Sequence, residues 1–183
     1  MTPMVRYIAL LRAINVGGHT VKMDTLRQLF ESQGFTGVET FIASGNVIFE
    51  TRTSDAAKLV ATIEAGLRKT LGYEVATFVR TDAELAEVAA HQPFPQKQID
   101  AARALNVGFL AAPLGAASAK RLIALRSDID DFHVHGREIY WLCREKQSDS
   151  TFTNVAFEKT VGVKATFRGI NTIRKLAAKY PPG

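Results

Sequence analysis

Apolar and polar positions change period along this chain in a regular order, and that order predicts the fold. Val5 to Ile14 is almost continuously apolar, with Arg6 and Arg12 near its ends, which marks a central strand covered on both faces. After Gly17-Gly18, the residues Met23, Leu26, Leu29 and Phe30 recur at helical spacing until Gly34, a left-handed stop. Val38 to Ala43 and Val47 to Glu50 read as strands joined at Ser44-Gly45-Asn46, good hairpin chemistry. Asp55 to Leu71 carries Ala56, Leu59, Val60, Ile63 and Leu67 on one helical face, with Gly72 just past its end. Tyr73 to Arg80 alternates as a fourth strand, and Thr81 with Glu84 forms a capping box that opens a short helix through Ala90. The order β-α-β-β-α-β plus one helix is that of a ferredoxin-like unit.

The same order starts again after His91-Gln92-Pro93-Phe94-Pro95-Gln96, which breaks both periods. Ala104 to Ala111 is a strand and Ala116 to Arg126 a helix. Asp131 to His135 and Glu138 to Cys143 form a hairpin about Gly136-Arg137. Phe152 to Val161 is a helix ended by Gly162, and Lys164 to Arg168 is the last strand before a helix through Lys179. Aligning Arg80 with Arg168 sets Leu85, Val88, Ala89 and Ala90 over Ile173, Leu176, Ala177 and Ala178, weak in identity but consistent in element order. The expected architecture is α+β: two tandem ferredoxin-like subdomains packed together, residues 1–91 and 104–183, joined by a linker over 92–103.

Composition narrows the class. With 183 residues the chain buries roughly 70% of its unfolded surface, so no metal or disulfide staple is required. One cysteine, Cys143, excludes an intramolecular disulfide and fits a reducing compartment. The segment Met1-Thr2-Pro3-Met4 leads straight into a strand without a basic segment and apolar run, and no stretch has transmembrane length, so a cytoplasmic location and no membrane partner are expected. The net charge is +5, unevenly spread: residues 1–91 carry nine Lys/Arg against ten Asp/Glu, and residues 92–183 carry fourteen against eight. That surplus suits an acidic partner, nucleic acid among them, or serves as a solvated basic surface.

Two polar clusters follow from the expected topology. The exit of the first strand, the hairpin turn and the start of the fourth strand share one end of a sheet, which gathers Asn15, Gly17, Gly18, Ser44 and Asn46. Free backbone N–H groups and short amides there would hold a carboxylate or phosphate, with Arg12 or Lys22 supplying charge. The alternative is that Asn and Ser cap their own loops. The second cluster comprises Arg144, Lys146, Arg168 and Asn171, with Ser150 or Thr151 capping the helix that carries Lys159. Its alternative is an exposed loop with a basic rim.

Other chemistry is unsupported. The Gly17-Gly18-His19-Thr20-Val21-Lys22 run lacks the spacing of a phosphate-binding P-loop, and the sheet faces lack the aromatics of an RNA-binding platform. His133 and His135 share a strand face, but the tight turn pairs them with Tyr140 and Glu138 and sends Cys143 to the other face. A metal site there would be short of ligands, and none is expected. Cys143 reads as buried packing, no histidine has a nucleophile and acid at recognisable spacing, and no cofactor or catalytic residue is assigned.

The runs Ala9-Leu10-Leu11-Arg12-Ala13-Ile14-Asn15-Val16-Gly17-Gly18, Lys22-Met23 with Leu26, and Phe41-Ile42-Ala43-Ser44-Gly45-Asn46-Val47-Ile48-Phe49 resemble the bacterial domain-of-unknown-function family number sixteen-ninety-seven. Glu158-Lys159, Gly162-Val163, Ala165-Thr166, Arg168 and Asn171-Thr172 are similar to that family's closing segment, which usually reads Ala-Thr-x-Arg-Asn-x-Asn-Thr. Gly169 departs from the asparagine of that pattern, Ile170 from a common tryptophan, and Ala13 from the usual glycine. The resemblance implies a cytosolic protein of two ferredoxin-like subdomains and no established activity. The leading expectation is a binding protein for a small anionic or phosphorylated ligand, as monomer or homodimer. The alternatives are an enzyme with groups from both halves, Lys159 or a histidine acting as acid or base, and a module that dimerises through a sheet edge.

Overall fold

Eight strands and seven α-helices succeed one another in the computed structural model, which describes residues 2–14, 20–42 and 45–183. The chain divides into two units, Met1–Ala86 with Lys179–Gly183, and Glu87–Ala178.

The first unit runs β1 (Val5–Leu11), α1 (Met23–Ser32), β2 (Thr36–Thr40), β3 (Asn46–Thr51), α2 (Ala56–Leu71) and β4 (Thr77–Thr81), and α3 (Asp82–Ala90) leads out of it. Its sheet has the order β2-β3-β1-β4 with every neighbouring pair antiparallel. Alternation along β1 and β3 sends Tyr7, Ala9, Leu11, Val47 and Phe49 into a core with Leu26, Leu29 and Phe30 of α1 and Leu59, Ile63 and Leu67 of α2. Each of the Val, Leu, Ile and Phe side chains contributes roughly 1.5–3 kcal/mol on burial. Ile8, Leu10 and Ile48, on the opposite face, are also buried, which accounts for the nearly unbroken apolar run of β1. The helix signals act as read: Asp55 accepts from the Lys58 N–H at 3.1 Å, and Gly72 turns left-handed at φ +83°. The Thr81 N–H donates to the Glu84 carboxylate at 3.0 Å and the Glu84 N–H to the Thr81 hydroxyl at 3.1 Å, a reciprocal cap on α3.

Several strands start or stop elsewhere than the hydrophobic pattern suggests: β1 ends at Leu11 rather than Ile14, the fifth strand at Phe109 rather than Ala111, and the last strand begins at Thr166 rather than Lys164. The second was expected over Val38 to Ala43 but ends at Thr40, because Ile42 takes φ +59° and cannot extend a ladder. The fourth, expected from Tyr73, begins at Thr77; Tyr73 instead donates its hydroxyl to the Ile14 carbonyl at 2.9 Å.

The second unit runs α4 (Gln96–Ala101), β5 (Ala104–Phe109), α5 (Ala116–Ile123), β6 (Asp130–His135), β7 (Glu138–Cys143), α6 (Asn154–Val161), β8 (Thr166–Gly169) and α7 (Ile170–Lys179). Its antiparallel sheet has the order β6-β7-β5-β8. The pairings of the central strand repeat those of the first sheet, although the β2–β3 ladder carries a register shift between Thr36 and Glu39 that the regular β6–β7 ladder lacks. Ile8 pairs with Arg80 and Val107 with Arg168; Leu10 pairs with Asn46 and Phe109 with Glu138. The Leu11 N–H donates to the Gly45 carbonyl and the Leu110 N–H to the Arg137 carbonyl, each at 2.9 Å. Helix α4 lies within the 92–103 stretch expected as linker. It buries no residue, so it left no apolar period in the sequence.

Candidate functional site

The first candidate site lies where β1 leaves its sheet. The Leu11 N–H bonds the Gly45 carbonyl and the Arg12 N–H bonds the Ala76 carbonyl, both at 2.9 Å, so the end of β1, the turn before β3 and the approach to β4 are held together. Gly45 has φ +79°, and a Cβ on it would stand 3.1 Å from both Leu11 Cβ and Ile14 Cγ2. Only glycine meets both demands. The buried Asn46 donates from Nδ2 to the Phe41 carbonyl at 2.9 Å, and the Phe41 N–H returns a bond to the Asn46 carbonyl at 3.1 Å. Its amide N–H is thus engaged in closing its own turn. Arg12 is half-buried. Lys22 is exposed at the N-cap of α1, where its carbonyl accepts from the Leu26 N–H. Asn15, Gly17, Gly18 and Ser44 fall outside the described residues.

Ala13 and Ile42 flank this junction in left-handed conformations, at φ +53° and +59°. For a β-branched residue such as Ile42 that geometry costs on the order of 1–3 kcal/mol. The positive φ at Ala13 is a conformation that glycine adopts without a steric penalty. A recess of about 10 Å³ at this junction is bordered by Ile14, Met23, Thr40, Ile42, Gly45 and Asn46. It admits one water-sized group, so a larger ligand would rest at its mouth, where Met23 and Ile42 are exposed.

The second expected cluster does not assemble. Arg144 lies beyond the end of β7 and reaches Asp131 at 3.5 Å, next to the 2.6 Å pair of Asp131 with Arg126. Lys146 is exposed before a short 3-10 turn, Lys159 is exposed in the last turn of α6, and Asn171 is exposed in the first turn of α7. Arg168 is buried in β8, and β5 separates β8 from β7, which puts Arg168 on the order of 10 Å across the sheet from the Arg144 strand. Its Nη1 donates to the Thr166 hydroxyl at 2.7 Å and the Phe167 carbonyl at 3.0 Å, as Arg80 does to the Val79 carbonyl at 2.9 Å. Burial lowers its pKa to about 10, which leaves it charged at neutral pH. The loop after β7 is anchored by Asp130, buried, which accepts from Trp141 Nε1 and from the Ser150 hydroxyl, each at 2.7 Å. Ser150 is therefore turned inward. Neither it nor Thr151 caps α6; Thr153 does, accepting from the Ala156 N–H at 3.0 Å.

A third grouping was missed by reading strands singly. His133 and His135 stand on one face of β6, and His91, immediately after α3, joins them. The Nε2 atoms of His91 and His133 are 3.2 Å apart, and one ring nitrogen from each of the three lies within 4.8 Å of the others. The rings of His91 and His135 stack at 4.0 Å with 10° between their planes. Desolvation first, and then the neighbouring histidines, hold His91 below the ordinary histidine range; desolvation and His135 do the same to His133 against a weaker pull from Asp131. Both are neutral at pH 7. The expectation that His133 and His135 lack a third ligand is thus overturned. The available signal was the Thr81/Glu84 cap, which fixes where α3 begins and so places His91 at its end. Cys143 is fully buried, with burial pushing its thiol pKa up, as expected of packing.

Comparison with known proteins agrees with the fold. The conserved bacterial protein SP0830 from Streptococcus pneumoniae superposes with a TM-score of 0.72 at 22% identity, over 98% of this chain and 100% of that one. A search of curated proteins finds no match. Among the described residues no helix is long and apolar enough to cross a membrane. Residues 4–140 match the family described as "Protein of unknown function (DUF1697)", and this span, most of the chain, places the protein in that family.

Proposed function

We propose that the protein binds a small anionic or phosphorylated ligand at the end of its first sheet, and that each half is a ferredoxin-like plait. The strand order and all-antiparallel pairing in both sheets support the plait reading. The observation that carries the binding reading is backbone strain at the recess: Ile42, which borders it, is held left-handed, and so is Ala13, the chain neighbour of the bordering Ile14. Strain of this kind persists where the surrounding structure imposes it, and it concentrates at ligand sites. Arg12 and Lys22 supply positive charge nearby, and the exposed Met23 and Ile42 supply an apolar rim. A cytoplasmic location belongs to the same reading.

A thermal-shift panel of inorganic phosphate, nucleotides, sugar phosphates and carboxylates tests it. One class should raise the melting temperature by linkage, by an amount that grows with concentration, and Lys22→Ala or Arg12→Ala should weaken the response. A flat response to every member overturns the reading.

The basic second half supports a second reading, contact with nucleic-acid phosphate. Because Arg168 is buried, the exposed Lys146 and Lys159 are the residues to change. Retention on DNA should fall steeply with salt, and Lys159→Ala should shallow that dependence.

A further inference from the structure

We propose that His91, His133 and His135 form a site for a first-row transition-metal dication, Zn²⁺ foremost, with three imidazole ligands and one coordination position left to water. The reading is independent of the ligand site in the first half.

Each ligand is positioned by a separate feature of the backbone. His133 and His135 are two residues apart on β6, so both point from one face, and β6 is the outermost strand of its sheet, which leaves that face's rim open. The backbone of His91 is fixed by its N–H bond to the Glu87 carbonyl at 3.0 Å. One turn earlier, the Val88 carbonyl accepts from the buried Tyr140 hydroxyl at 3.3 Å, and Tyr140 pairs with His133 across the β6–β7 ladder. The end of α3 is therefore tied to the strand next to the two other histidines.

The spacing is that of ligands around one ion. Nitrogens about 2.0–2.1 Å from a tetrahedral zinc are roughly 3.3 Å from each other, and the Nε2 atoms of His91 and His133 are 3.2 Å apart. His135 is the exposed member, and closing the remaining gap requires its side chain to rotate out of the parallel stack on the His91 ring toward the solvent-open side. Without an ion the 3.2 Å contact is an Nε2–H···Nε2 hydrogen bond between neutral imidazoles, one donating and the other accepting; with a cation bound, both Nε2 lone pairs would turn to it instead. Glu138, directly across the ladder from His135, and Asp131, two residues before His133, add negative charge around the site. Imidazole ligands suit zinc, copper and nickel and disfavour magnesium or calcium.

The test uses full-length protein without a histidine tag, stripped with a chelator and then titrated with Zn²⁺ in competition with a chromogenic chelator. One Zn²⁺ per chain is expected, and His91→Ala, His133→Ala and His135→Ala should each weaken binding at least tenfold. The remaining histidine gives a control, His19→Ala, which should leave affinity unchanged. Co²⁺ substitution should give visible absorption of a nitrogen-ligated ion that His135→Ala removes. Because His135 is exposed, its variant folds even if the other two do not, and unchanged circular dichroism would confirm this. Three outcomes overturn the proposal: no Zn²⁺ or Co²⁺ binding by the unaltered protein, equal affinity in protein and His135→Ala, or half a zinc per chain, which would mean an ion held between two copies.

Discussion

In the first sheet, residues 41–45 separate the end of β2 from Asn46, and the connection closes on Gly45 at φ +79° against Leu11 and Ile14. In the second, only Gly136 and Arg137 separate β6 from β7, so His135 pairs with Glu138 right up to the turn, and a Cβ on Gly136, at φ +58°, would meet nothing within 4 Å. Around the central strands the two sheets share one register, with Asn46 opposite Leu10 where Glu138 is opposite Phe109, while the edge strand β2 has a register shift between Thr36 and Glu39 that β6 lacks. A few residues of turn thus change what one topology offers. Beside the longer connection lies a recess bordered by the left-handed Ile42, and the shorter one carries an edge strand full length and presents its histidines. The backbone pattern is shared, while the chemistry is set by the connections.

The largest effect should come from the anchor of the second sheet. Asp130→Ala removes two 2.7 Å bonds to a buried carboxylate and leaves the Trp141 N–H unpaired, so a loss of about 2–4 kcal/mol in urea unfolding is expected. A loss below about 1 kcal/mol would mean that the loop after β7 is held by something else.

The turns themselves come next. Gly45→Ala meets both a left-handed backbone and two contacts at 3.1 Å, for a cost of roughly 2–4 kcal/mol, whereas Gly136→Ala meets only the backbone term of about 1–2 kcal/mol. Equal urea midpoints for the two variants would erase the distinction drawn between the turns.

A gain is expected at Gly169. Its cross-strand partner Asn106 has a buried Nδ2 without a hydrogen-bond partner, and a Cβ at Gly169 would find no atom closer than 4.0 Å. Gly169→Asn gives Asn106 an acceptor, which should raise the melting temperature by about 2–4 °C for roughly 1 kcal/mol. An unchanged or lower melting temperature would show that the Asn106 amide is satisfied otherwise. Smallest of all, Arg144→Ala should cost under about 1 kcal/mol, because its pair with Asp131 is part-exposed and Arg126 remains.

Most of the fold was legible because its signals are local. The capping box of Thr81 and Glu84, the left-handed stops at Gly72 and Gly162, and the two-residue turn at Gly136-Arg137 each act within a few residues, and each is present. Where apolar content was the guide the reading slipped: Phe41 and Ile42 look like strand but Ile42 turns left-handed, and α4 buries nothing that a period could reveal. The candidate sites were harder to read because side-chain commitment is not local. Arg168 and Asn46 have the residue types of ligand contacts, yet Arg168 is buried and donating to its own strand, and the Asn46 amide closes its own turn.

The sequence alone determined the order of elements, the glycine stops at Gly72 and Gly162 and the repeat, since hydrophobic period and turn chemistry are written in consecutive residues. Tertiary structure decided which polar groups face one another. His91 lies forty-two positions from His133 and meets it only because α3 packs beside β7, a proximity that depends on burial and strand order rather than on spacing along the chain.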